Sequence, residues 1–265
     1  MKNYGQFINS GKIILGAHRG DLVNHPENTM PAFVSAFNMG VDAIETDVRC
    51  TKDGHLVLIH DRSVERTTNG VGFIDEMTLE ELKNLDAGSW KGDEFKGYQI
   101  PTVDEFLEWV KDTNLVINWE LKEYPVEFGD RAYKTADLLI DKIEKYGLSD
   151  RSLMNSFSQQ LLEYIYDKYN GKYIIHAYVG YEKWDTAKKP IETFADWSGV
   201  WRKDEDHVSG FAEDYDYLSK FDVMPCILIP DTVEDYKKAI ELGCPMFTTN
   251  DIKKATECLK ALGKR

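Results

Sequence analysis

His18 and Arg19 stand at the end of the short apolar run Ile13-Ile14-Leu15-Gly16-Ala17. A second run delivers Glu45 and Asp47, a third, Leu56 to Ile59, delivers His60 and Asp61, and a fourth, Leu115 to Trp119, delivers Glu120 and Lys122. Three carboxylates suit a hard cation, two imidazoles suit proton transfer, and an arginine with a lysine suits a phosphate group. Ionisable groups of complementary kinds at the ends of strand-like runs are what α/β enzymes gather at the carboxyl edge of a parallel sheet.

Glu45 and Asp47 lie two apart in a strand, so both side chains point to one face and repel each other unless something neutralises them. A divalent cation does this, with Glu120 as the third ligand. The all-oxygen set predicts Mg²⁺, Ca²⁺ or Mn²⁺ and disfavours a structural zinc. A single carboxylate would more simply pair with a surface cation; three beside two histidines favour the metal. His18 and His60, titrating near ~6.5 when unperturbed, can take and give a proton at cellular pH. His25, His55 and His207 read as loop or surface residues. His176, inside an apolar run, reads as a satisfied barrel histidine. Arg19 can grip two phosphate oxygens, and Lys122 adds a point charge. Lys122 also shares a face with Glu120 and could pair with it, or serve as a Schiff-base lysine; the latter would leave the acidic trio and both histidines idle.

Seven short strings occur in order over residues 18–122: His18-Arg19-Gly20, Pro26-Glu27-Asn28-Thr29, Glu45-Thr46-Asp47-Val48, Thr51-Lys52-Asp53-Gly54, His60-Asp61, Arg66-Thr67-Thr68 and Glu120-Leu121-Lys122. Together they resemble the glycerophosphodiester phosphodiesterase family. The resemblance implies a TIM-type (β/α)8 barrel with a small insertion, a metal on Glu45, Asp47 and Glu120, and hydrolysis of sn-glycerol-3-phosphodiesters to an alcohol and glycerol 3-phosphate. A related diesterase or lyase acting on lysophospholipids or another phosphodiester, and a non-catalytic binder of polyol phosphates, are the alternatives. The likeness thins in the second half. Cys226-Ile227-Leu228-Ile229-Pro230-Asp231 lacks the tryptophan usual in the family at that place, and Asn250 stands where an acid is usual, followed by Asp251.

The elements that must position these groups alternate between strand and helix. Asn28 or Thr29 is a plausible cap for a helix bearing Phe33, Ala36 and Phe37 and stopped at Gly40. Thr78 with Glu81 and Thr102 with Glu105 are capping boxes. Ala43–Val48, Leu115–Leu121, Ser152–Phe157, Tyr173–Val179, Gly199–Arg202, Val223–Ile229 and Met246–Thr249 read as strands. Helical faces lie at 132–143, 161–169, after Asp231 and Glu234, and at 251–260. The alternation predicts a parallel α/β barrel as a single domain over residues 1–265. Counting the 13–17 and 56–59 runs gives nine strand candidates where eight are expected. Too few residues separate Val48 from Leu56 for a crossover helix. Residues 62–100 read as an insertion after the His60-Asp61 strand. Trp184 to Tyr217, with Trp197, Trp201 and several acids, reads as a solvated surface with scattered aromatics; the sharper alternative is a cation–π pocket for a head group.

A chain of 265 residues that is 42% hydrophobic can bury one large core. Its formal charge of −14, from 32 basic and 46 acidic residues, argues against nucleic acid or an anionic membrane as the main partner but not against a small anionic phosphodiester held by a few local cations. Cys50, Cys226, Cys244 and Cys258 show no metal-ligand spacing and read as free thiols of a reducing compartment. Met1 to Gly11 is polar, and no run approaches the ~20 apolar residues of a membrane span. The expectation is a cytoplasmic protein with no stable membrane insertion; oligomeric state stays open.

Overall fold

The computed structural model describes residues 12–202, 207–208, 211–227 and 229–265; the readings made on Met1 to Gly11, on Asp204, Glu205 and Asp206, and on Leu228 lie outside them. The strands are β1 (Ile14–His18), β2 (Ala43–Cys50), β3 (Leu56–Leu58), β4 (Val116–Leu121), β5 (Ser152–Asn155), β6 (Ile174–Val179), β7 (Trp197–Arg202), β8 (His207–Val208), β9 (Met224–Pro225) and β10 (Met246–Thr249). Eight of them run parallel in the order β10-β1-β2-β4-β5-β6-β7-β9. They curl into the sheet of a TIM-type (β/α)8 barrel, with helices outside.

The strands read as near-continuous apolar runs because both faces are covered. On the inner face, Ile14, Ala43, Val116, Leu153, Ile174, Trp197 and Met246 close the floor of the barrel. Outside, the helix Asp130–Lys145 buries Ala132, Ala136, Leu139, Ile140 and Ile143 on one stripe, each larger side chain contributing about 1.5–3 kcal/mol of apolar burial. Thr29 caps Met30–Asn38, while the capping boxes at Thr78 with Glu81 and Thr102 with Glu105 open Leu79–Lys83 and Val103–Val110 as expected.

The surplus strand candidate resolves as a hairpin. β3 runs antiparallel to β2, pairing Val48 with Leu58 and Cys50 with Leu56. Gly54 takes the left-handed conformation (φ 85°) in the connecting turn, so no crossover helix is needed. Beyond β3, Val64, Ile74, Leu82, Ala87 and Ile100 pack with Val57 and Ile59 into a small cluster of their own.

Several expectations are corrected. Among the described residues of the run 223–229, Met224–Pro225 join the sheet as a strand, and the Cys226 N–H still bonds the Ser198 carbonyl. The following helix, Val233–Glu241, is capped by Thr232 with Asp235, not by Asp231 and Glu234. His207, read as a loop or surface residue, lies in the short strand β8, antiparallel to β7 opposite Arg202. Trp197 is fully buried in the barrel floor, not on a solvated surface. Trp201 packs edge-on against Tyr181 and Phe157, and Trp184 stacks at 5.0 Å from Tyr124. The cysteines are free, and among the described residues no helix is long and apolar enough to cross a membrane.

Candidate active site

Strand register brings the acids together. β1 sets His18 beside Glu45, and β2 sets Asp47 beside Glu120 of β4. Glu45, Asp47 and Glu120 are buried and each offers an oxygen within 4.8 Å of the others. Glu45 Oε1 has no hydrogen-bond partner, and Asp47 Oδ1 faces only the Lys122 ammonium. Buried carboxylate oxygens of this kind are costly unless a cation compensates them. Burial, then the neighbouring Asp47 and Glu120 carboxylates, pushes Glu45 well above the usual carboxylate range. Burial would raise Asp47 too, but Lys122, then Arg19, outweigh it and hold it below that range. The donor set, three hard oxygens on rigid strands, fits a Mg²⁺- or Ca²⁺-type ion.

Two cations flank the trio. Lys122 Nζ pairs with Glu120 and lies 3.2 Å from Asp47 Oδ1. Burial disfavours its charge, yet Glu120 and Asp47 outweigh burial and raise its pKa. Lys122 is therefore a charged partner of the acids and unsuited to Schiff-base chemistry, which needs the neutral amine. Arg19 sits at φ 55°, with its N–H on the Glu45 carbonyl. Its Nη1 donates to Glu27 at 2.8 Å and its Nε lies 3.2 Å from Asp47 Oδ2. Gly20 follows at φ 83°, and a Cβ there would stand 2.8 Å from the Ala32 backbone, so the turn that aims Arg19 demands glycine.

Each histidine has a different backing. His18 Nδ1 lies 2.6 Å from the Asn250 amide oxygen, leaving Nε2 3.8 Å from Glu45. Burial, then Arg19, lowers its pKa to about 4. His60 Nδ1 lies 2.6 Å from Asp61 Oδ1. Burial lowers its pKa, with Asp47 opposing. Asp61 is held in turn by Arg66 Nε at 2.5 Å, and the two terminal nitrogens of Arg66 reach Glu27 at 2.8 Å. A chain of charge thus runs from His60 through Asp61, Arg66 and Glu27 to Arg19.

His18, Arg19, Glu45, His60, Glu120 and Lys122 line one cavity of about 180 Å³; Asp47 lies fully buried behind them. Phe157, Tyr178, Cys226, Ile227 and Ile229 line the same cavity. All seven site residues singled out in the sequence therefore meet at one mouth. Sequence reasoning missed several supports. Asn28 donates to Asp47 Oδ2 at 2.8 Å and accepts from Thr46. Arg49 donates to the carbonyls of His60 and Lys122 at 2.9 and 3.2 Å. The signal for both was present: Asn28 lies in the Pro26–Thr29 string, and Arg49 shares the Glu45 and Asp47 face. His176 is not the satisfied histidine expected, because its buried Nε2 has no partner.

A parallel barrel carrying buried acids, imidazoles and cations at the carboxyl ends of its strands defines the class. Residues 18–214 match the glycerophosphoryl diester phosphodiesterase family, and the chain belongs to it. It is 46% identical over 151 residues to a glycerophosphodiester phosphodiesterase of Caldanaerobacter subterraneus subsp. tengcongensis, covering 57% of this chain and 60% of that protein. It is 42% identical over 142 residues to one from Bacillus altitudinis, covering 53% and 56%. The matches thus span little more than half the length of these relatives. In fold it is similar to an Oleispira antarctica phosphodiesterase solved with the product sn-glycerol-3-phosphate (TM-score 0.79, 22% identity, 95% of this chain and 98% of that one). It is also similar to a glycerophosphodiester phosphodiesterase from Agrobacterium tumefaciens (TM-score 0.71, 24% identity, 92% and 99%).

Proposed function

We propose that the protein hydrolyses glycerophosphodiesters to an alcohol and sn-glycerol 3-phosphate, using one divalent cation and His18 and His60. The observation that carries this is the convergence of Glu45, Asp47 and Glu120, flanked by His18, His60, Arg19 and Lys122 around one cavity. The named activity of the relatives supports it. The acidic trio would hold the ion, which supplies charge neutralisation of the phosphodiester when bound.

The side chains do the rest. Arg19, pre-aimed by Glu27 and Asp47, binds phosphate oxygens and stabilises the charge that develops on them. Lys122 adds a fixed positive charge. His18, held by a neutral amide, keeps its Nδ1 proton and presents the Nε2 lone pair as base to the attacking hydroxyl. His60, backed by the Asp61 carboxylate, is the imidazole better able to carry a proton, and it protonates the leaving alkoxide.

The test strips the protein with chelator and restores Mg²⁺, Ca²⁺ or Mn²⁺ singly, with glycerophosphocholine and glycerophosphoinositol as substrates. Turnover should return with an ion, and His18→Ala should lower kcat by about 10²–10⁴-fold with an unchanged melting temperature. Failure of the folded, ion-loaded protein to turn over any glycerophosphodiester would refute the reading. The apolar side made by Phe157, Ile227 and Ile229 favours a second substrate class, lysophospholipids, and lysophosphatidylcholine belongs in the same panel.

A further inference from the structure

The row of inward side chains that begins with Asp47 and Glu120 does not end there. Register continues it to Asn155 on β5 and His176 on β6, with Asn118 of β4 one inward position deeper than Glu120. The row passes from charged to neutral, and its neutral end lines the same cavity as the acids. Asn118, Asn155 and His176 are each at most 4% exposed. Yet Asn118 Oδ1, Asn155 Oδ1 and His176 Nε2 all lack a hydrogen-bond partner. Buried amides and imidazoles are ordinarily satisfied, so three orphans on one cavity wall mark a place built for something polar.

The geometry points to a subsite for the hydroxyls of the substrate's glycerol moiety, with His176 Nε2–H as donor and Asn118 Oδ1 and Asn155 Oδ1 as acceptors. It rests on the phosphodiesterase reading and adds which substrate atoms lie on this wall. The donor pattern follows from chemistry. His176 Nδ1 lies 3.3 Å from Asn118 Nδ2. An amide nitrogen only donates, so Nδ1 carries the lone pair. Burial keeps the ring neutral, with its pKa lowered to about 4, and the single proton therefore sits on Nε2. The buried Asn155 Oδ1 is likewise left without a partner.

One donor beside two acceptors suits the two hydroxyls of the glycerol moiety: one accepts from His176 and gives its proton to one amide oxygen, and the other gives its proton to the second. It does not match a phosphate, which offers only acceptors and would face two carbonyl oxygens. Nor does it match an alkyl group, which would leave all three atoms unpaired at a cost. The phosphate therefore lies toward Arg19 and Lys122, and the polyol reaches along the wall toward β6. A site that hydrogen-bonds a hydroxyl discriminates strongly against ligands lacking it, because its own polar groups are then left unsatisfied.

The experiment compares glycerophosphocholine with bis(4-nitrophenyl) phosphate, a diester without hydroxyls, in the ion-loaded full chain. His176→Leu should lower kcat/KM for the first by about tenfold or more and leave the second almost unchanged. His176→Gln, which restores a donor, should recover much of the loss. Equal loss on both substrates, or no loss on either, would overturn the subsite and leave the three atoms as hosts for water alone. Calorimetry on the unaltered protein gives a measurement that no folding defect can spoil. There sn-glycerol 3-phosphate should bind about tenfold tighter than ethyl phosphate, and Asn118→Leu should narrow that gap. Equal binding of the two ligands would sink the subsite even if the diesterase activity stands. Hydrolysis of the aryl diester without any glycerophosphodiester turnover would instead remove the substrate reading, and the calorimetric comparison would still judge the subsite.

Discussion

The Nδ1 of His18 lies 2.6 Å from the Oδ1 of Asn250, and Asn250 is itself held by Asp231 through both its backbone N–H and its side-chain amide. Because the amide nitrogen is spent on Asp231, only the oxygen can face His18. That fixes the ring's tautomer, with the proton on Nδ1 and the lone pair on Nε2. Asn250→Leu should therefore lower kcat by about 10- to 100-fold, the usual cost of losing a partner that orients a site histidine, with KM little changed. Asn250→Asp keeps an acceptor for His18 but loses the donor to Asp231 and sets two carboxylates together, so it should recover only part of the activity. Steady-state kinetics on both variants checks this, and equal activity in Asn250→Leu would show that the contact does not orient the base.

Asp61 ties the same site to acid stability. Burial raises its carboxyl, but the hydrogen bonds from Arg66 and His60 outweigh burial and hold it at about 2. A depressed carboxyl contributes stability above its unfolded value, near ~4, and that contribution is lost as pH falls through the folded value. The wild type should thus lose stability between about pH 4 and about pH 2. Asp61→Asn should show a flatter profile in that window. Urea midpoints followed across it make the measurement; parallel profiles for the two proteins would contradict the linkage.

Arg49 predicts a structural cost. Its guanidinium reaches the carbonyl oxygens of both His60 and Lys122 in a buried setting. Arg49→Met leaves those acceptors without their donors and should cost about 2–6 kcal/mol, at about 1–3 kcal/mol for each buried group left unsatisfied. Arg49→Lys should recover only part, since a point charge cannot reproduce the guanidinium fork. Denaturant unfolding of the three proteins gives the comparison.

What was readable in the chain and what was not divides along physical lines. Glu45 and Asp47 were legible as a pair because strand alternation puts residues two apart on one face. Thr78 with Glu81 and Thr102 with Glu105 were legible because a capping box is a local bond between near neighbours. Asn250 was noticed only as a departure, since its meaning depends on Asp231, nineteen residues away, and on His18 at the other end of the chain. His176 misled because an apolar neighbourhood in sequence says nothing about which way a ring nitrogen opens. The strand reading at 223–229 was too long because apolar character in sequence does not mark where pairing with a neighbouring strand stops; the strand is Met224–Pro225.

The β2–β3 hairpin means that the two imidazoles enter the mouth by different routes. His18 rides on the ring itself, locked to β10 through Asn250, whereas His60 arrives on a returning arm whose far side is stapled to Val64, Ile74 and Leu82. The spacing between the His18 and His60 rings is accordingly a matter of how two separately packed bodies seat against each other. Changes in the smaller body, remote from any ligand, would therefore retune the chemistry without altering a single group that carries it out.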